Sequence, residues 1–265
     1  MSERKHLGRG LETVSHLFLS RRQPSKDEAP APTPSGATTP FLFVASGFEV
    51  IGKSVVACNV AIELARRGHR TAVVDADPSL PTLRLLMGAL LEPTSGPPRL
   101  VIDEQHGLTL FDTMAQATEA AETWDCVVVN APSTLFSGEA PPVSAQRLLL
   151  VVSPEPRELI RAYAVAKSGV GWSAGLQVGL VVRGVEDDAS ARAFFDQFRG
   201  VLGRRLALRP AYCGFLPERD EIGRSVLSRV PAVLGAEDAD LVERLRGIAG
   251  AVARVFEPGR SARSQ

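Results

Sequence analysis

From residue 40 onward the apolar positions fall into two kinds of run. Short, nearly continuous apolar stretches occur at Phe41–Ala45, Thr71–Val74, Leu108–Phe111, Cys126–Val129, Arg147–Val152 and Val178–Val182. Runs of this length and continuity predict strands buried on both faces, as in a parallel sheet. Longer stretches with apolar residues three or four apart predict helices over Val55–Arg67, Glu158–Ser168, Ala189–Leu202 and Asp238–Phe256. The first ends in Arg66-Arg67-Gly68, which reads as a glycine C-cap. Strand–helix alternation predicts an α/β domain with a mostly parallel sheet flanked by helices. Ligands of such sheets bind beyond the carboxyl ends of the strands.

The ends of the chain read differently. Residues 1–22 are basic, and Leu7, Leu11, Val14 and Phe18 fall on one helical face. Residues 23–39 are rich in Pro, Ala, Ser and Thr and read as a disordered linker. The domain is expected over 40–257, and 258–265 as a disordered polar tail. A tethered amphipathic segment docks on a partner protein, on a membrane surface or back on its own domain. The reading favours a protein partner for residues 1–22 and does not favour a membrane surface. Leu241, Leu245, Ile248, Val252 and Val255 are read as the domain's last helix packing on the sheet, and Pro258-Gly259 breaks the chain after it.

Composition narrows the classes. With 265 residues, 45% of them hydrophobic, the chain suits one sizeable domain plus tails. Thirty Lys and Arg balance thirty Asp and Glu, so net charge weighs against nucleic acid as a partner. Cys58, Cys126 and Cys213 are far apart, with no metal-binding spacing, and are expected as free thiols in a reducing compartment. No run approaches the ~20 apolar residues of a membrane span, and no signal-peptide core opens the chain. A cytoplasmic location is the expectation.

The chemistry concentrates in Gly47-Phe48-Glu49-Val50-Ile51-Gly52-Lys53-Ser54, which fits the phosphate-binding loop G-x-x-x-x-G-K-[ST]. The expected strand before it and helix after it are the context that the motif requires. Loop and helix N–H groups then converge on phosphate oxygens. Gly47, Gly52, Lys53, Ser54 and Val55 are the candidate nucleotide-binding positions. Lys53 would neutralise the phosphates, and the Ser54 hydroxyl would ligate Mg²⁺.

Two more segments follow in order: Val73-Val74-Asp75-Ala76-Asp77-Pro78, and Trp124-Asp125-Cys126-Val127-Val128-Val129-Asn130-Ala131-Pro132. With the loop, they resemble the MinD/ParA family of deviant-Walker P-loop ATPases over residues 41 to about 256. Val152-Ser153-Pro154-Glu155-Pro156, Ile160 to Lys167, and Tyr212 to Asp220 look like the FlhG/FleN branch. The resemblance implies ATP or ADP with Mg²⁺ as cofactors. It implies Asp77 and Lys53 as catalytic groups, Ser54 and Asp75 on the metal side, and Pro217 and Arg183 near the base. It also leaves a homodimer open.

The departures from the family pattern are as informative. The signature lysine, which reaches the partner subunit's nucleotide in the family, aligns with Phe48. Two loop glycines align with Glu49 and Val50, the Walker B aspartate with Asn130, and the base-contacting Asn with Arg183. The sequence therefore reads as a divergent nucleotide-binding regulatory or positioning protein. It would be slow or inactive in hydrolysis and would recruit a partner through its N-terminal segment. The alternatives are an active ATPase cycling between monomer and nucleotide-bound dimer, and a ParA-like DNA partition factor using Arg199, Arg204, Arg205 and Arg209.

Overall fold

A computed structural model describes residues 40–256, apart from Glu49, Val50, Pro78, Ser79, Ala89, Pro93, Pro142, Ser144 and Arg219. The N-terminal segment 1–22, the linker 23–39 and the tail 258–265 lie outside the described residues. The chain runs β1 (Phe41–Ser46), α1 (Ile51–Arg66), β2 (Thr71–Asp75), α2 (Thr82–Met87), β3 (Leu91–Glu92), β4 (Arg99–Val101), β5 (Gly107–Phe111), α3 (Met114–Glu119) and β6 (Cys126–Asn130). It continues as β7 (Arg147–Val152), α4 (Pro156–Trp172), β8 (Gln177–Arg183), α5 (Asp188–Leu206), β9 (Ala211–Leu216), α6 (Asp220–Ser228), α7 (Ala232–Gly235) and α8 (Ala239–Phe256).

The nine strands form one sheet in the order β3-β4-β5-β2-β6-β1-β7-β8-β9. Pairings from β5 through β9 are parallel, and β3 and β4 add an antiparallel edge. All six expected strands are present, with ends shifted by no more than one residue. Their side chains alternate between two cores, as the strand period requires. Leu42 and Val44 of β1 join the layer of α1 and α8, whereas Phe41, Phe43 and Ala45 join the layer of α4 and α5. Continuous apolar strands are thus explained by helices on both faces.

Four helices match the expected ones, with three differences of consequence. Helix α1 starts at Ile51, four residues before the expected Val55, because Gly52-Lys53-Ser54 already has helical backbone. Helix α4 starts at Pro156, whose fixed φ suits a first helical turn. Helix α5 starts at Asp188, where the Asp187 side chain caps the Ser190 N–H at 2.7 Å. The C-cap expected at Gly68 is present. Gly68 has φ +86°, its N–H donates to Ala65 O, and the His69 N–H donates to Leu64 O. That pair of bonds closes the last carbonyls of α1. The sequence reading missed β9, where Gly214 interrupts a short apolar run and adopts φ +124°. It also missed the short elements β3, β4, α2, α3, α6 and α7. All three cysteines are free thiols, as expected. Among the described residues, no helix is long and apolar enough to cross a membrane.

Candidate functional site

The loop between β1 and α1 sits at the carboxyl edge of the sheet, beside the ends of β2, β6 and β7. Gly47 is required there by close approach. A Cβ on Gly47 would run into the Glu158 carbonyl oxygen and lie 2.9 Å from the Ala162 backbone nitrogen. The first turns of α4 therefore press directly on the start of the loop. The Ser46 hydroxyl folds forward to donate to the Phe48 carbonyl. On the other side of the loop, a Cβ on Gly52 would lie 3.3 Å from Arg183 Cδ.

A buried polar chain joins the first turn of α1 to the ends of β6 and β2. Ser54 Oγ donates to Asn130 Oδ1 at 3.3 Å, and Asn130 Nδ2 donates to Asp75 Oδ1 at 3.0 Å. Asp75 Oδ2 accepts from the Leu83 N–H at 2.7 Å, which ties the start of α2 to the end of β2. Lys53, Ser54, Asp75 and Asn130 are each no more than 3% exposed. Lys53 Nζ donates to the Ala131 carbonyl at 2.9 Å. Burial pushes the Asp75 carboxyl above the usual carboxylate range. Its bonds from Asn130, Leu83 and Arg84, and the charge of Lys53, pull the other way. The buried Cys58 thiol is pushed up by burial and then by the Asp75 charge.

The expected site residues occupy the following places. Gly47, Gly52, Lys53, Ser54 and Asp75 gather at one edge. Val55 is fully buried in the core on the α1 side of the sheet. Asp77 is half-buried just beyond β2, and Pro217 is buried just beyond β9. Arg183 ends β8, and its Nη2 pairs with Glu158 Oε2. Glu49 and Val50 lie outside the described residues.

The sequence reading passed over Glu158, Ser153 and Arg161. Glu158 is 1% exposed, and its Oε2 also accepts from Ser153 Oγ at 2.6 Å. Glu158 Oε1 and Arg183 Nε are buried without a hydrogen-bond partner. The signal was a carboxylate on the apolar face that α4 shares among Glu158, Ala162, Val165, Ala166 and Gly169. A charge in such a stripe is a paired charge in most folds. Arg161 lies over the Phe48 ring, with Cζ 4.1 Å from the centroid.

These parts fit a polyphosphate with weak metal support. The N-terminus of α1 and Lys53 could receive an anion. Ser54 and Asp75 would hold Mg²⁺, since both present oxygen. Asp75 is the one carboxylate in that chain, and Asn130 and Leu83 already bond it. The neutral amide of Asn130 supplies no charge to a cation. Arg199, Arg204 and Arg205 are exposed on α5, and Arg209 follows it, toward the opposite edge of the sheet. Arg199 pairs with Asp196 at 3.0 Å.

Residues 42–232 match the CobQ/CobB/MinD/ParA nucleotide binding domain model. The iron-sulfur cluster carrier protein of Bacillus subtilis (strain 168) is 33% identical over 111 residues, covering 39% of this chain and 32% of the relative. The chain thus spans about a third of the length of that curated relative. The fold is similar to the MinC:MinD cell division protein complex of Aquifex aeolicus, with TM-score 0.61 and 16% identity over 83% of this chain and 98% of the other. It is also similar to the septum site-determining protein MinD of Pyrococcus horikoshii OT3 complexed with Mg-ADP. There the TM-score is 0.54 and the identity 17%, over 80% of this chain and 95% of the other.

Proposed function

Since this chain belongs to the CobQ/CobB/MinD/ParA nucleotide-binding domain family, we propose that it binds ATP or ADP with Mg²⁺ at residues 47–55 and hydrolyses ATP slowly or not at all. Its role is then regulatory or positional, with residues 1–22 recruiting a protein partner, in the manner of the FlhG/FleN branch. One observation carries the reading. The Asn130 amide stands between Ser54 and Asp75, at 3.3 and 3.0 Å, where a metal-side carboxylate would add charge. When bound, Mg²⁺ would neutralise phosphate charge.

The chain's own residues act as follows. The α1 N–H groups and Lys53 bind and orient phosphates, and Lys53 must leave the Ala131 carbonyl to do so. Ser54 and Asp75 hold the cation. Asp77 would orient the attacking water. Each oriented charged group missing from such a site costs on the order of 10²–10³ in rate. Phe48 and Asn130 leave two such groups absent, which supports slow turnover.

The test is steady-state hydrolysis beside nucleotide binding. Tight Mg-ATP binding with little turnover is expected. Turnover typical of a working ATPase, lost in Lys53→Ala, would sink the proposal and favour the cycling-dimer alternative. Carriage of an iron–sulfur cluster is not part of the reading. Burial raises the Cys126 and Cys213 thiols to about 12, and among the described residues no three metal-ligating side chains converge.

A further inference from the structure

Four arginines among the described residues lie over aromatic rings: Arg192 on Tyr212, Arg199 on Phe195, Arg244 on Phe215 and Arg161 on Phe48. Three of them are neutralised by a carboxylate on their own helix. Arg192 pairs with Asp188, Arg199 with Asp196 and Arg244 with Asp240, all within 3.0 Å. Arg161 differs. No carboxylate of the described residues forms an ion pair with it, and the nearby Glu158 is committed to Arg183 and Ser153. Arg161 is exposed, and its ring partner belongs to the phosphate loop itself.

Its position is also fixed at the stem. A Cβ on Gly47 would lie 3.0 Å from Arg161 Cβ, so α4 carries this side chain onto the first glycine of the loop. Stacking on a ring face holds the guanidinium plane and leaves its edge N–H groups free for an anion. A planar, permanently charged fork of that kind matches phosphate oxygens. The loop's own residue at position 48 brings no charge.

We infer that Arg161 is a phosphate-contacting residue: Phe48 holds its guanidinium over the loop, and it supplies from α4 the second cation for a bound nucleoside polyphosphate. This rests on the reading that residues 47–55 bind nucleotide. Phe48 is then an anchor for a cation rather than only a lost one.

The test is calorimetry on the full chain with Mg-ATP, Mg-ADP and inorganic tripolyphosphate, for wild type, Arg161→Ala, Arg161→Lys, Phe48→Ala and Lys53→Ala. A charge-assisted contact at an exposed site predicts about a tenfold loss of Mg-ATP affinity in Arg161→Ala. A smaller loss is expected for Mg-ADP, and both differences shrink in high salt. Phe48→Ala should lose affinity in the same order, and Arg161→Lys should lose less than Arg161→Ala. A merely structural role would lower all ligands equally and lower the melting temperature with them, which would overturn the inference. So would unchanged binding by Arg161→Ala, or tighter binding, which would make the stacked pair an obstruction. Wild-type binding lost in Lys53→Ala but kept in Arg161→Ala would leave the nucleotide reading standing and this one refuted. No wild-type binding at millimolar nucleotide would refute both.

Discussion

At the scale of single residues, the account turns on Asn130 and Asp75. Asn130→Asp places a second carboxylate beside Asp75, where two like charges face each other in a buried site. The variant should melt lower than wild type without metal and recover when Mg²⁺ and nucleotide are added. Its hydrolysis should rise on the order of 10²-fold if metal-side charge limits the rate. Thermal melts and phosphate release measure the two effects. Asp75 also predicts a pH dependence. Burial raises its folded pKa, so the folded state holds the proton to higher pH than the unfolded chain does. Stability from this group is greatest below the unfolded value of about 4 and falls as pH rises through the folded one. Asp75→Asn removes the buried charge and should melt above wild type at neutral pH, with the gap closing toward pH about 4. Equal melting of the two proteins at both pH values would count against a costly Asp75 charge. Part of this scale was legible beforehand. Lys53 and Ser54 stand in one local motif whose spacing marks them, whereas Asp75, 21 residues further on, came from the family resemblance. Glu158 was not legible, because its partner Arg183 is 25 residues away and only β8 lying beside β7 brings them together.

At the scale of elements, the loop depends on how α4 lands on it. Gly47→Ala puts a methyl against the Glu158 carbonyl and the Ala162 nitrogen, both backbone. Backbone cannot swing aside, so the substitution should cost about 1–3 kcal/mol and weaken nucleotide binding, read by denaturant melts and calorimetry. Helix α1 was legible as a helix, but its start was not. Apolar periodicity begins at Val55, whereas Gly52, Lys53 and Ser54 are helical without contributing to it. The strands were legible because helices cover both faces and leave them uniformly apolar. Strand β9 was not, since Gly214 takes a backbone conformation that breaks the run. The short antiparallel edge of β3 and β4 carries too few residues for any period to register. Glu49 and Val50, two of the departures from the family loop, stand outside the described residues.

At the scale of the whole molecule, two cores grip one sheet. Phe198 in the α4–α5 layer and Leu245 in the α1–α8 layer are fully buried. Truncation to alanine should cost about 3–5 kcal/mol at Phe198 and 2–5 at Leu245. Both variants should lower the denaturation midpoint without separating the molecule into independently melting parts. The segment 1–22 lies outside the described residues, and we propose it as the element that recruits the partner. Its deletion should leave the melting temperature unchanged and abolish recruitment of the partner, scored by co-purification against the full chain. Unaltered recruitment would move the partner surface onto the domain. The fold class was legible at this scale from alternation alone, while the chain from Ser54 of α1 through Asn130 of β6 to Asp75 of β2 was not, because it joins elements far apart in the sequence.

The central claim is that the phosphate loop still binds nucleotide although the catalytic charges around it are depleted. Calorimetry of the full chain with Mg-ATP and Mg-ADP, beside Lys53→Ala, tests it most directly. The account expects binding near the micromolar range for the wild type and none for the variant. No binding at millimolar nucleotide, or binding that survives loss of Lys53, would contradict it.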